Sequence, residues 1–429
     1  MAAAAKPDRN RAIDFYRVVA MLFVVVGHWL ALVAVTDGTT GEVIGGNAME
    51  FVPGLGWISW AMQVMPLFFV VGGFSSAMSL DSHNTKGGNA QDWIAARLRR
   101  MLPPAVVLAA TWLVIVAIGF AVGQLTIVGL ALQAGAVPLW FLANYTIDTA
   151  LAPFVLPRFR KNPVMVGGAL VGAFTFFEIL RIAGVPALPQ VNWVLGWLIF
   201  QVMGMAWRDG MLPTGGKLIA AAGTMWAATL ALVLSGGPWT VTMVNVAGIE
   251  NSPTNPPTLS LMTFGAAYSL TAIAAAPAIS AALTTRPKAW AAVVGANTVA
   301  MSVYLWHMTA TVVVSAGIHF TFGLPTHVVG SFDWWLFKIP TILLSTLVLA
   351  PIVLAVSKVE RNALLAPRRA WNGGIPSIFA VSIVTSMALK LWSGGEIATA
   401  VPSLVILVAL GVTVLKPTKI APEEVEVAS

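Results

Sequence analysis

Residues 11–35 read RAIDFYRVVAMLFVVVGHWLALVAV. From Val18 to Gly27 no polar side chain interrupts the run, and apolar residues fall on every face of any helix it forms. Such a helix has no side to turn to water, and its length matches the roughly 20 residues that cross a bilayer. The same reading repeats along the chain. Apolar runs predict helices at 13–35, 57–79, 102–122, 138–156, 164–183, 191–207, 217–236, 259–283, 291–319, 334–357, 374–392 and 397–415. The fourth, with Pro138, Asn144, Asp148 and Pro153, and the short sixth are the weakest, so the expectation is an all-α polytopic membrane bundle of about 10–12 spanning helices.

Composition points the same way. Of the 429 residues 58% are hydrophobic and 10% charged, with a mean hydropathy of +0.84. A soluble globular chain carries roughly 25% charged residues, and no stretch here is polar enough for a soluble domain. The chain has no cysteine, which excludes disulfides, thiolate metal sites and a catalytic thiol. The polar segment Met1 to Arg11 followed by a run long enough to span predicts a retained first helix and not a cleavable signal peptide.

Charge sets the orientation. All 24 Lys and Arg except Arg17, Arg181, Lys338 and Lys390 fall in the tails or in alternate connections, starting with the one after the second helix. The positive-inside rule then puts those connections and both termini in the cytoplasm. This placement explains the net charge of +7 without nucleic acid. The expected organisation is a cytoplasmic tail (1–12), a ten-helix membrane domain (13–357), a cytoplasmic linker (358–373), a two-helix extension (374–415) and a cytoplasmic tail (416–429). His319 and His327, near Asp333, read as solvated loop residues, and no metal is expected.

Charges at bilayer depth are costly and point to function. Arg17 and His28 are eleven residues apart, about 1100° of helical rotation, so they share a face roughly 16 Å apart along the axis. Asp14 lies one turn before Arg17 and can pair with it. Two plain readings stand beside this: a snorkelling Asp14–Arg17 edge pair, and a histidine that merely bonds a neighbouring helix. The company these residues keep favours a site. Glu178 and Arg181 in FFEILR are spaced as an intrahelical pair, with Glu178 at the depth of His28 and able to orient it. Trp140, Asn144, Tyr145 and Asp148 come from the fourth helix, and Tyr304 and His307 from VYLWHM in the ninth. At the cytoplasmic edge, Arg97 and Arg100 are helical neighbours that could grip a phosphorylated ligand, besides serving as topological anchors.

Several segments resemble the membrane-bound acyltransferase family 3: RAIDFYRVVAMLFVVVGHW, MPLFFVVGGFSS, RLRRMLPP, PLWFL and VYLWHM, in order over about residues 10–357. One departure is Gly72-Gly73-Phe74 where the family has Ser-Gly-Phe. The resemblance implies transfer of an acyl group from cytoplasmic acyl-CoA to a hydroxyl of a carbohydrate or glycolipid, with His28 catalytic, Arg17 its motif partner and Arg97 and Arg100 holding the CoA. Glu178 joins the catalytic group as a candidate; Asp14, Trp140, Asp148, Tyr304 and His307 are candidate substrate-binding residues. The expected acyl group is short, such as acetyl or succinyl; trehalose or mannosyl glycolipids are candidate acceptors, and the plasma (inner) membrane is the expected location. A glycolipid transporter or flippase is the main alternative, expected to show inverted repeats and broken midplane helices. A glycosyltransferase using a polyprenyl-phosphate sugar would want more acidic residues in its outer loops than Glu42, Glu50 and Glu250.

Overall fold

The computed structural model describes residues 10–246, 252–365, 401–402 and 404–409. The predicted helix 374–392, most of 397–415, part of the linker and the C-terminal tail lie outside the described residues. Each of the ten segments predicted within 13–357 contains a helix.

The first helix, α1 (Arg11–Ala31), begins at Asn10, whose side chain accepts from the N–H groups of Ala12 and Ile13, satisfying two of the donors a helix start leaves open. It ends four residues before the apolar run does. Leu32–Thr36 forms β1, paired antiparallel with β2 (Val43–Asn47), with Val33 opposite Gly46 and Val35 opposite Ile44. The β-branched residues that prolong the hydropathy signal also favour a strand. Two short helices follow, α2 (Ala48–Phe51) and α3 (Ser59–Met62), before α4 (Met65–Asn84). The predicted second span is therefore broken at Gln63–Val64, ahead of Pro66.

The rest is helical: α5 (Ala90–Ala121), α6 (Leu125–Ala136), α7 (Leu139–Lys161), α8 (Pro163–Ile182), α9 (Asn192–Arg208), α10 (Gly215–Leu234), α11 (Leu259–Thr284), α12 (Pro287–Phe322) and α13 (Phe332–Leu365). α5 starts well before the predicted position, so Arg97 and Arg100 lie within it. α6, read as a connection in the sequence, is a helix of 12 residues, about 18 Å long and too short to span. Among the described residues nine helical segments are long and apolar enough to cross a membrane, counting α3–α4 and α6–α7 as one each. The chain is a polytopic helical membrane protein.

The centre is α9, 17 residues long and buried along much of its length. It packs on α4 through glycines: a Cβ on Gly73 would lie 1.8 Å from the Gln201 carbonyl oxygen, and one on Gly204 would lie 1.9 Å from that of Val70. Small residues let the two backbones touch, the usual basis of tight helix packing in lipid. A Cβ at Gly72 would meet the Tyr145 ring at 2.6 Å, so the ring occupies the space that any larger residue there would need. At the end of the bundle bearing the basic connections, Arg160 binds Asp81 (2.7 Å) and Asp209 (2.6 Å), and Arg208 binds both (3.1 and 3.0 Å). That network ties together the ends of α4, α7 and α9.

Candidate functional site

The site is built on α1 and α12, which pack along each other. His28 Nδ1 lies 2.8 Å from His307 Nε2, with the two rings 7° from coplanar. His307 is wholly buried, and its Nδ1 is 2.6 Å from the carbonyl oxygen of Tyr304. Trp29 Nε1 donates to the His307 carbonyl at 2.9 Å, so neighbouring residues of α1 bond both the side chain and the backbone of one residue in α12. Tyr304, its ring 6.0 Å from that of His307, donates from its hydroxyl to the Pro138 carbonyl at 3.2 Å.

His28 opens on a cavity of about 510 Å³, also lined by Trp140, Tyr304 and Met308 and walled by α6, the β-hairpin and α12. This volume suits a small-molecule site. Its walls are mostly aliphatic, including Leu32, Ile44, Leu130 and Val312, with polar groups that include Asn47, Glu50, Gln63, Asn245 and His319. His319, expected in a solvated loop, lies instead in the last turn of α12 on the cavity wall. The cavity sits beyond the C-terminal half of α1, away from the basic end.

Toward the basic end, Arg17 bonds Asp14 (3.3 Å), Ser75 Oγ (2.9 Å) and Asn297 Oδ1 (3.4 Å). Asn297 Nδ2 in turn donates to the Asp14 carbonyl at 3.0 Å. One turn along α4 from Ser75, Ser79 Oγ accepts from Arg97 and from Trp93 Nε1, and the Arg97 guanidinium lies 5.1 Å from the Trp93 ring centre. Ser75 and Ser79 stand one turn apart on α4, so Arg17 and Arg97 are held by neighbouring hydroxyls, with Arg100 one turn along α5 from Arg97. Cations that the sequence scatters over two helices thus share one region. Unlike Arg160 and Arg208, neither Arg97 nor Arg100 has a carboxylate partner among the described residues. A cationic region with few acids is suited to bind a polyanion.

Three expectations are corrected. Glu178 does not touch His28: its carboxylate binds Arg181 (2.8 and 3.0 Å), Trp239 Nε1 (3.2 Å) and the backbone N–H of Leu259 (3.0 Å). It fastens α8 to the N-terminus of α11, where a negative charge is favoured. Hydropathy gave its depth but not its direction, and α8 packs on α7 and α9. Asp148 is fully buried with neither carboxylate oxygen bonded, and it does not line the cavity. His307, read as a substrate contact, stands behind His28 and not on the cavity wall. Sequence reasoning missed Ser75, Ser79 and Asn297, whose spacing carries no signature. It noted Lys338 as an intramembrane cation but gave it no partner. Lys338 Nζ bonds the carbonyl of Leu32, lies 3.5 Å from that of Trp29 and sits 4.5 Å from the centre of the Trp334 ring. It thereby caps the C-terminal end of α1. Among the described residues no three His, Asp or Glu side chains converge as metal ligands would.

No curated protein and no solved structure matches the chain. The family model described as an acyltransferase domain matches residues 10–357. The histidine, the cation cluster and the cavity all lie within that stretch, and the chain belongs to acyltransferase family 3.

Proposed function

We propose that this membrane acyltransferase moves an acyl group from cytoplasmic acyl-CoA to a hydroxyl of an envelope carbohydrate or glycolipid. The observation that carries the reading is the place of His28, between a cationic region at the basic end and a cavity toward the opposite end. The arginines suit the phosphates of CoA, and the extended pantetheine arm can bridge the roughly 16 Å between the levels of Arg17 and His28. The mostly aliphatic cavity suits an acceptor with an apolar part, such as a glycolipid of the plasma membrane, and its polar groups suit a sugar.

A sugar hydroxyl is a weak nucleophile at neutral pH. His28 takes its proton as the oxygen attacks the thioester carbonyl; the C–S bond then breaks and the proton passes to the departing CoA thiolate. General base catalysis of this kind contributes roughly 10²–10⁴-fold. Arg17 is too far from His28 along α1 to serve the reacting carbonyl, so it acts on the donor's path. The test is transfer of label from radioactive acetyl-CoA to envelope glycolipids by purified protein, expected to fall at least about 100-fold in His28→Ala. Transfer that survives the substitution would remove His28 from the chemistry.

A further inference from the structure

We infer that His307 is a positioning residue that fixes the tautomer of His28, leaving Nε2 of His28 as the basic nitrogen. The inference rests on the reading of His28 as the general base.

One chain of hydrogen bonds links Tyr304, His307 and His28. A carbonyl oxygen only accepts, so the 2.6 Å contact between Tyr304 O and His307 Nδ1 places a proton on that nitrogen. A neutral imidazole carries one N–H, which leaves His307 Nε2 with a lone pair. Its neighbour at 2.8 Å is His28 Nδ1, which must therefore be the donor. The remaining nitrogen of His28, Nε2, then holds the free lone pair. His28 lines the cavity while His307 does not, so the base belongs to the residue that substrate can reach. No carboxylate bonds either ring among the described residues, so neither ring has an anionic partner that would hold a resting imidazolium.

The arrangement also accommodates the charge formed during transfer. When Nε2 of His28 takes the hydroxyl proton, Nδ1–H keeps donating to His307, and the positive charge acquires an acceptor without any atom moving. The proton then leaves for the CoA thiolate, and His307 keeps its own proton throughout. The rigid setting serves this role: the His307 backbone is tied to Trp29, and Lys338 holds the end of α1 one turn beyond His28.

The tautomers can be read without turnover. The chain has five histidines, so ¹⁵N-histidine-labelled protein in lipid nanodiscs gives a resolvable spectrum, assigned with His28→Ala and His307→Gln. The expected result is an Nδ1–H tautomer at both His28 and His307 in the wild type, with His28 shifting toward Nε2–H in His307→Leu. A wild-type His28 protonated on Nε2 would overturn the inference. Kinetics supply the second arm. His307→Gln offers a carboxamide oxygen near the lost acceptor and is expected to keep kcat within about tenfold. His307→Leu is expected to lose on the order of 100-fold or more in kcat with KM for acyl-CoA unchanged. Equal losses in the two variants would mean a packing role only. A wild-type protein with the expected tautomers but no acyl transfer would sink the enzymatic reading and leave the hydrogen-bond chain standing.

Discussion

Glu178 and the arginines at the basic end illustrate how far a single residue can be read. Glu178 is buried and charged at the depth of His28, yet three kinds of donor consume its carboxylate. Its loss should therefore register in stability. Glu178→Leu leaves Arg181 buried beside an apolar side chain, and breaking a buried pair costs roughly 3–5 kcal/mol. Thermal unfolding in detergent should show that loss, while kcat of the protein that remains folded stays near wild type. Arg97 and Arg100 predict the opposite pattern. Replacing both with alanine should weaken binding of CoA at least about tenfold, measured calorimetrically, and more at low salt than at high salt. Unchanged CoA binding would return them to the role of topological anchors. Arg17 and His28 were visible beforehand because each is expensive in lipid, and Arg97 and Arg100 because their helical spacing at the membrane edge sets two guanidinium groups side by side. Ser75 and Ser79 were invisible, since a serine in an apolar helix costs little and reveals nothing until the arginines it bonds are placed.

Among the elements, the α4–α9 pair governs the centre of the bundle. Its backbones touch at Gly73 and Gly204, so any side chain there must push the helices apart. Gly204→Leu is expected to destabilise the protein by about 3 kcal/mol or more, beyond the common cost of overpacking, since the clash is with backbone. Thermal unfolding checks it; Gly210→Ala, at an exposed turn with no atom near its Cβ, is the comparison, carrying backbone strain from its positive φ but no clash. The elements also mark where hydropathy misleads. It carried α1 four residues into what is β1, because Val33 and Val35 are as apolar in a strand as in a helix. It treated α6 as a connection because one span was assigned to 138–156 and a 12-residue helix is too short to count as another. Both misread elements form walls of the cavity, so the part of the site hardest to foresee is the part that receives substrate.

Across the whole molecule, the charge pattern orients the bundle, and this can be checked directly because the chain has no cysteine. A cysteine at Thr39, in the exposed turn between β1 and β2, and one at Lys86, exposed after α4, should react with an impermeant maleimide from opposite faces of the membrane. In intact cells Thr39→Cys is expected to label and Lys86→Cys is not; the reverse would invert the donor and acceptor sides proposed above. Sequence by itself determined that the chain is a helical membrane protein, which residues enter the bilayer at a cost, and that Arg17 and His28 share a face. Those conclusions follow from length, hydropathy and helical period, all local properties. Only the tertiary structure decided which buried polar groups meet. It joined His28 to His307, separated Glu178 and Asp148 from the cavity, and gathered Arg17 with Arg97. The reason is geometric: a helix's sequence states how deep each side chain lies and on which stripe, while the neighbour that stripe faces is set by packing among all the helices.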